Sequence, residues 1–385
     1  MQLNGFDIDW FLREIWQKKP LLIRNAFADW ENPVEPDELA GLACEEDIES
    51  RLITENRAAG TFTVEHGPFP ESRFAEVPPS HWTLLVQAAD HWVPEVATLI
   101  EPFRFIPDWR IDDVMISYAD DGGSVGPHFD QYDVFLVQGL GQRRWQVGTR
   151  CDKDTALLDN PQLRLLANFE STEEWILEPG DMLYVPPRFA HHGVAVGNDC
   201  MTYSIGFRAP GQFELISHWC DHVLESVSDD DRFEDVDLAP ARNPGEISAA
   251  SLERLRELAL QRLADPASFR EWFGSWTTEP KYPQHDYTSS RPISVKTLLS
   301  RLQQFGALYR NPASRFAFAG GNDVLLFVDG HSHRGLDIEF VEFICANIRW
   351  AQSDLAPWLA STQQLNMLCA LFNQGSVYFD EPDID

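Results

Sequence analysis

His128 and Asp130 stand two residues apart in the stretch Gly122-Gly123-Ser124-Val125-Gly126-Pro127-His128-Phe129-Asp130-Gln131-Tyr132-Asp133. A pair of histidines, His191 and His192, follows far downstream behind Pro186 and Pro187. In extended chain, side chains alternate faces, so His128 and Asp130 project the same way and can grip one ion together. A histidine from the second stretch closes the site. Two histidines and one carboxylate on one face of a metal, with the other positions open, form the facial triad of non-haem Fe(II) oxygenases. Such a site constrains the fold, because two distant segments must be brought together and held rigidly.

His-x-Asp also arises by chance in many proteins, so its surroundings matter. The glycines before His128 read as a loop feeding a strand over Tyr132 to Gln138, and Gly139 to Gly141 reads as a turn into a second strand, Arg143 to Val147. Further short strands are predicted at Val114 to Tyr118, Met182 to Val185 and Met201 to Phe207. Many short strands punctuated by Gly and Pro predict a double-sheet jelly roll of the cupin kind. His66, His81 and His91 have no carboxylate at ligand spacing and are expected to be structural.

Several motifs together carry a resemblance. Gly126-Pro127-His128-x-Asp130-Gln131-Tyr132-Asp133, Gln138-Gly139-x-Gly141-x-Arg143-Arg144-Trp145, Glu178-Pro179-Gly180-Asp181-x-Leu183-Tyr184-x-Pro186-Pro187, His191 and Tyr203-Ser204-x-Gly206-Phe207-Arg208-Ala209-Pro210 resemble the bacterial ribosomal oxygenases of the JmjC type. Further likeness lies in Asp37 to Ala43, His66 to Phe69, Trp82 to Ala88 and Pro107 to Asp113, so that it covers most of residues 1 to 210. Ala190 departs from the pattern, where a proline is common before the ligand.

The resemblance implies a JmjC-type distorted double-stranded β-helix and hydroxylation of an arginine of the large-subunit ribosomal protein L-sixteen. It selects His191 over His192 as the third ligand beside His128 and Asp130. The class takes its electrons from 2-oxoglutarate, whose keto acid chelates Fe(II) while its distal carboxylate needs a cation. A guanidinium can hold that carboxylate through two parallel hydrogen bonds. Neighbours in a strand face opposite ways, and the family register selects Arg143 over Arg144, with Ser117 as the paired hydroxyl. Asp113, Met115 and Ser117 share one strand face, so Asp113 is expected near the cavity mouth, where a carboxylate suits a substrate guanidinium. Tyr132, by stacking, and Ser204, by hydrogen bonding, are further candidates for that pocket.

Composition narrows the partners. The 385 residues carry 61 acids against 30 bases, a net charge of −31, which disfavours direct nucleic-acid binding and favours a basic protein or peptide. A general solubility bias explains the same charge. No apolar run long enough for a membrane span and no signal-like N-terminus is present, and Cys44, Cys151, Cys200, Cys220, Cys345 and Cys369 are scattered, so a soluble cytoplasmic protein with reduced thiols is expected.

Four segments are expected. Residues 1–210 form the JmjC catalytic domain with N-terminal packing elements: a helix in Asp7 to Trp16, a strand at Leu21 to Ile23, a helix from Pro36, a strand near Phe62 to Val64, and helical turns over Trp82 to Ala89 and Val93 to Ile100. Residues 211–276 read as helices, for which the resemblance implies homodimerisation; 277–292, rich in Pro, Ser and Thr, read as a linker. Residues 293–385 read as a winged-helix-like module, whose 7 Lys and Arg against 10 Asp and Glu from Ser290 onward leave no basic face for DNA. Two other classes use the same ligands or fold: a cupin-like zinc hydrolase or isomerase, which has no need of Arg143, and a catalytically silent binding module, which has no need of a full triad. A hydroxylase of another protein substrate is the nearest variant of the first reading.

Overall fold

The structure is a computed structural model that describes residues 3–160, 162–236 and 238–380; Asp237, within the segment 211–276, and residues 381–385 of the C-terminal module lie outside the described residues. The chain divides into two units, one ending at Ala209 and the other starting at Pro210. No helix among the described residues is long and apolar enough to cross a membrane.

The first unit is a strand-rich body with short helices: α1 (Ile8–Glu14), β1 (Leu21–Ile23), α2 (Pro36–Leu42), β2 (Ser50–Asn56), β3 (Thr61–His66), β4 (Trp82–Val86), α3 (Pro94–Ala97), β5 (Ile111–Ala119), β6 (Asp133–Arg150), β7 (Ser171–Leu177), β8 (Met182–Val185) and β9 (Phe189–Phe207). Hydrogen bonding runs β1-β8-β6-β9-β5-β4-β2-β3, with β7 on the far half of β6. The jelly-roll expectation holds, but its middle is built from two long strands. The turn expected at 139–141 is instead a break in register within β6, between Gln138 and Gln142, opposite a matching break in β9. Gly141 takes a left-handed φ of +57° there, and a Cβ would lie 2.7 Å from the Asp199 carbonyl. Such a bulge bends both strands, so the first half of β6 pairs with the second half of β9 in one layer, and the second half of β6 with the first half of β9 in the other.

Trp82 to Val86, read from sequence as helical, is β4, a strand buried along its whole length between β2 and β5. A strand covered on both faces reads as a continuous apolar run, which period alone cannot tell from a buried helix. The edge strand β7 escaped prediction because most of its residues are exposed and polar.

The second unit holds α4 (Gln212–Glu225), α5 (Ala249–Leu263), α6 (Pro266–Thr277), α7 (Val295–Phe305), β10 (Ala307–Arg310), β11 (Phe316–Ala319), β12 (Leu325–Val328), β13 (His331–Arg334), α8 (Ile338–Ala346), β14 (Arg349–Ala351), α9 (Gln352–Leu355), α10 (Thr362–Asn373) and β15 (Val377–Tyr378). The break expected after 276 falls inside α6. That helix packs on the β11-β12-β13 sheet, with Gly274 against the Phe327 ring, Glu271 bonded to Ser332 at 2.7 Å and Arg270 to three backbone carbonyls. The expected linker is likewise laid on α10: Ser289 N donates to Asn373 O at 2.9 Å and Ile293 N to Asn373 Oδ1 at 2.8 Å.

In the first unit, α1 seals one layer of the β body. Asp7 caps it by accepting from Trp10 N, and Phe11 and Ile15 are buried, Phe11 lying edge-on to Tyr184 at 5.0 Å. Burying each such side chain contributes about 1.5–3 kcal/mol. The polar clasp beneath is Asp133, fully buried, which accepts from Tyr184 Oη at 2.6 Å, Gln17 Nε2 at 2.9 Å and Arg110 Nη2 at 3.2 Å. Burial pushes its carboxyl above the usual range, while these three partners pull it back. Asp133→Ala is expected to destabilise the first unit by about 3 kcal/mol, because it strands the Arg110 charge and the Tyr184 hydroxyl. Denaturant unfolding followed by tryptophan fluorescence measures the loss, and an unchanged midpoint removes Asp133 as the clasp.

Candidate metal centre

Directly opposed residues of an antiparallel pair share a face. In the far halves of β6 and β9, Arg143 opposes Ala195, Trp145 opposes Gly193 and Val147 opposes His191, and all six are buried. In the near layer, Ser117 opposes Thr202, which also opposes Gln138, and Met115 opposes Ser204, which also opposes Leu136. Ser117 and Arg143 therefore both sit beside the bulge. His191 lies four residues farther along β6, about 13 Å away at the usual rise per residue.

The segment carrying His128 is zipped onto β9: His128 N donates to His191 O at 3.0 Å and His191 N to His128 O at 2.9 Å. Gly126, at φ +85°, lets the chain turn in between Leu165 and Phe62, whose atoms a Cβ would meet at 2.8 and 3.1 Å. Asp130 is steadied through its carbonyl, which accepts from Arg188 N at 2.6 Å; Arg188 itself is held at a left-handed φ of 69° after the double proline.

One potential ligand atom from each of His128, Asp130 and His191 lies within 4.8 Å of the other two. Asp130 Oδ2 is 3.8 Å from His128 Nε2 and 3.5 Å from His191 Nε2. An ion at roughly 2.1 Å from each atom spans such gaps. Each Nδ1 faces a carbonyl at 2.9 Å, that of Gly126 for His128 and that of Phe189 for His191. A carbonyl only accepts, so Nδ1 carries the proton and the Nε2 lone pair is left for a metal. Burial first, then the neighbouring His128, pushes the His191 pKa down to about 4, so the neutral ligand form prevails at pH 7. His192 faces away from this site, beside the Phe169 ring. No second cluster of metal-ligand side chains occurs among the described residues; His81 is bonded to Ser80 Oγ and His91 lies 3.9 Å from Asp90.

Arg143 is the strongest electrostatic signal. It is 4% exposed, and its Nε and Nη2 have no hydrogen-bond partner among the described residues, whereas Arg144 is exposed. A buried guanidinium left this way costs several kcal/mol, a cost relieved by an anionic ligand. Ser117, also buried, makes only a long 3.4 Å contact to Thr202 O and has capacity to spare. The side chains present therefore fit a divalent ion at the His128, Asp130 and His191 cluster and a carboxylate at Arg143 and Ser117.

The remaining candidates are placed unevenly. Tyr132 is 44% exposed, yet its hydroxyl is enclosed, and burial together with Asp130, Asp113 and Asp112 pushes the phenol well above its usual range. Ser204 is half-buried between Met115 and Leu136. Asp113 departs from expectation. It is 3% exposed, and its Oδ2 accepts from Gln87 Nε2 at 2.7 Å and Ala88 N at 2.9 Å, holding Ala88 in a left-handed turn after β4. The register of β5 slips between Ile111 and Val114, so simple alternation fails at that position.

Sequence reasoning missed the carbonyls of Gly126 and Phe189, which carry no side-chain signature, and the pair Trp145 and Gly193. The second was findable: Trp145 shares the face of Arg143 by period two. A Cβ on Gly193 would lie 2.6 Å from Trp145 Cη2, so the indole rests flat on bare backbone.

Comparison with known proteins follows this geometry. Residues 98–215 match the JmjC domain family and residues 261–378 the ROXA-like winged helix family. The chain is 37% identical over 370 residues to the Escherichia coli ribosomal protein uL16 3-hydroxylase, covering 96% of this chain and 97% of that one. Among solved structures it is similar to Escherichia coli ycfD, with a TM-score of 0.90 and 36% identity over 99% of this chain and 100% of the other. A structure of that ribosomal oxygenase in complex with cobalt and 2-oxoglutarate superposes with a TM-score of 0.88 at 36% identity, over 99% of both chains.

The packing of Trp145 on Gly193 generates a test. Gly193→Ala is expected to cost about 1–3 kcal/mol by overpacking and, by shifting the indole against His191, to weaken Mn(II) binding. Calorimetric titration with Mn(II) checks this, and wild-type affinity in the variant would show that the indole does not buttress the centre.

Proposed function

This chain belongs to the JmjC-type ribosomal oxygenases, and from that premise we propose that it uses Fe(II) and 2-oxoglutarate to hydroxylate an arginine side chain of ribosomal protein uL16. The observation that carries the reading is buried Arg143, whose Nε and Nη2 have no hydrogen-bond partner among the described residues, on the same face of the β6–β9 pair as the His191 that joins His128 and Asp130. Bound Fe(II) and 2-oxoglutarate supply the oxidising chemistry, one atom of dioxygen going to the hydroxyl and the other to succinate as the keto acid loses carbon dioxide.

The chain's own residues do the rest. His128, Asp130 and His191 offer three ligand atoms on one side and leave the opposite side to cosubstrate and oxygen. Arg143 Nε and Nη2 bind the distal carboxylate, with Ser117 beside them, and fix the cosubstrate lengthwise. Tyr132, half-exposed next to Asp130, suits stacking on a planar guanidinium, and Ser204 can hydrogen-bond it. Asp113 contributes a negative charge behind Tyr132, its Oδ2 being engaged by the β4 turn. The net charge of −31 favours encounter with a basic ribosomal protein in the cytoplasm and disfavours nucleic acid. A zinc hydrolase on the same ligands leaves the Arg143 donors without an anion.

Self-association belongs to the same reading. Phe213 is 87% exposed, Leu224 65%, Leu252 55% and Leu255 43%, an apolar density on α4 and α5 that a second copy would cover. The four segments of the sequence expectation, 1–210, 211–276, 277–292 and 293–385, serve as catalytic body, pairing helices, connecting stretch and contact module.

Two outcomes are expected. Incubation of uL16 with the protein, Fe(II), 2-oxoglutarate and dioxygen adds one oxygen atom to an arginine by mass spectrometry, and folded Asp130→Ala adds none; oxygen placed on another residue type refutes the arginine assignment. Leu252→Asp combined with Leu255→Asp shifts the protein to a smaller mass by light scattering, and an unchanged mass moves the pairing surface elsewhere.

A further inference from the structure

Trp145 is the inward residue between Arg143 and Val147 on β6, so it lies between the anion end of the cavity and the His191 level. Three of its contacts fix the ring. Cη2, Cζ3 and Cζ2 lie 2.6–2.9 Å from where a Gly193 Cβ would stand, the ring centroid is 6.0 Å from that of His191, and the Arg143 guanidinium carbon is 5.9 Å from it. The six-membered ring thus covers β9 at Gly193, and Nε1 lies in the ring plane on the pyrrole side, off that contact. Trp145 is 5% exposed, and its Nε1–H has no partner among the described residues.

Successive inward residues of one strand therefore present three buried donors without an acceptor: Arg143 Nε, Arg143 Nη2 and Trp145 Nε1. A tryptophan N–H has no other way to be satisfied, because it cannot accept or change charge. Trp82 Nε1 is also unpartnered, but it lies on β4 beside Tyr118, away from this trio. We propose that Trp145 is a positioning residue for the cosubstrate: its Nε1–H donates a third hydrogen bond to the carboxylate bound by Arg143, while its ring, seated on Gly193, sets the spacing between that carboxylate and the metal ligand His191.

This rests on Arg143 as the dicarboxylate anchor, and the experiment separates the two. Full-length wild type, Trp145→Phe and Arg143→Ala are loaded with Mn(II) without oxygen, and binding of 2-oxoglutarate and of 2-oxobutanoate, the keto acid lacking the distal carboxylate, is measured by calorimetry. Trp145→Phe keeps an aromatic ring but loses both the N–H and the part of the indole that rests on Gly193, and binding of 2-oxobutanoate reports the packing loss separately. A hydrogen bond to a charged group predicts roughly ten-fold or more weaker 2-oxoglutarate binding, with 2-oxobutanoate binding kept. Unchanged 2-oxoglutarate binding, or an equal loss for both acids, overturns the third donor and leaves Trp145 as packing alone. Arg143→Ala is expected to show the same selectivity more strongly. A loss confined to 2-oxoglutarate in Arg143→Ala but not in Trp145→Phe therefore overturns this inference alone, whereas no such confined loss in Arg143→Ala overturns the anchor and the inference with it.

Discussion

The pairing of β6 with β9 is the interaction on which the rest of the first unit depends. Two strands of 18 and 19 residues run together through a shared bulge and so belong to both layers of the jelly roll. Their near halves carry Val134, Leu136, Ser204 and Gly206, and their far halves carry Arg143, Trp145, Gly193 and His191. One continuous ladder thus fixes the anion end and the metal end relative to each other. A slip of one residue would turn every one of these side chains outward. The short segment of His128 is then brought into place by its two backbone bonds to His191 and by the bond that Arg188 N donates to the Asp130 carbonyl.

Two buried charges show how structure and function divide in this body. Asp133 is surrounded by three donors and locks α1, β6 and β8 together; its neighbourhood is closed and self-sufficient. Arg143 is nearly as buried but has two donor atoms with nothing to receive them. Burial of an ion is tolerated only with compensation. Compensation from within marks a clasp, and compensation missing from within marks a binding site. The histidines follow the same logic: carbonyls of Gly126 and Phe189 satisfy one nitrogen of each ring and leave the other directed at Asp130.

Much of this was legible in the chain itself. His128-x-Asp130 with a later histidine announces a metal site because ligand chemistry admits few residue types and strand geometry fixes their spacing. Arg143 against Arg144 and His191 against His192 were each decided by alternation together with family resemblance, and in both pairs the chosen residue is the buried one. Alternation failed where the ladder is irregular. Asp113 sits beside a register slip, so its carboxylate serves the turn after β4, and the supposed turn at 139–141 is a bulge inside one strand. β4 was misread because a strand buried on both faces loses its period.

The sequence by itself therefore determined the His128-x-Asp130 pair, the jelly-roll class and the acidic composition, since each follows from residue type and short-range spacing, while His191 over His192 and Arg143 over Arg144 took the family resemblance as well. Only the tertiary structure decided which polar groups are left without partners. Whether Arg143, Trp145 or Asp113 has a spare hydrogen bond depends on what the fold brings against it from strands far away in sequence. Gly193 lies under the Trp145 ring, Gln87 and Ala88 reach Asp113, and among the described residues no acceptor reaches Arg143 Nε or Nη2. Satisfaction of a buried polar atom is a property of its surroundings, and those surroundings exist only once β6 and β9 have paired.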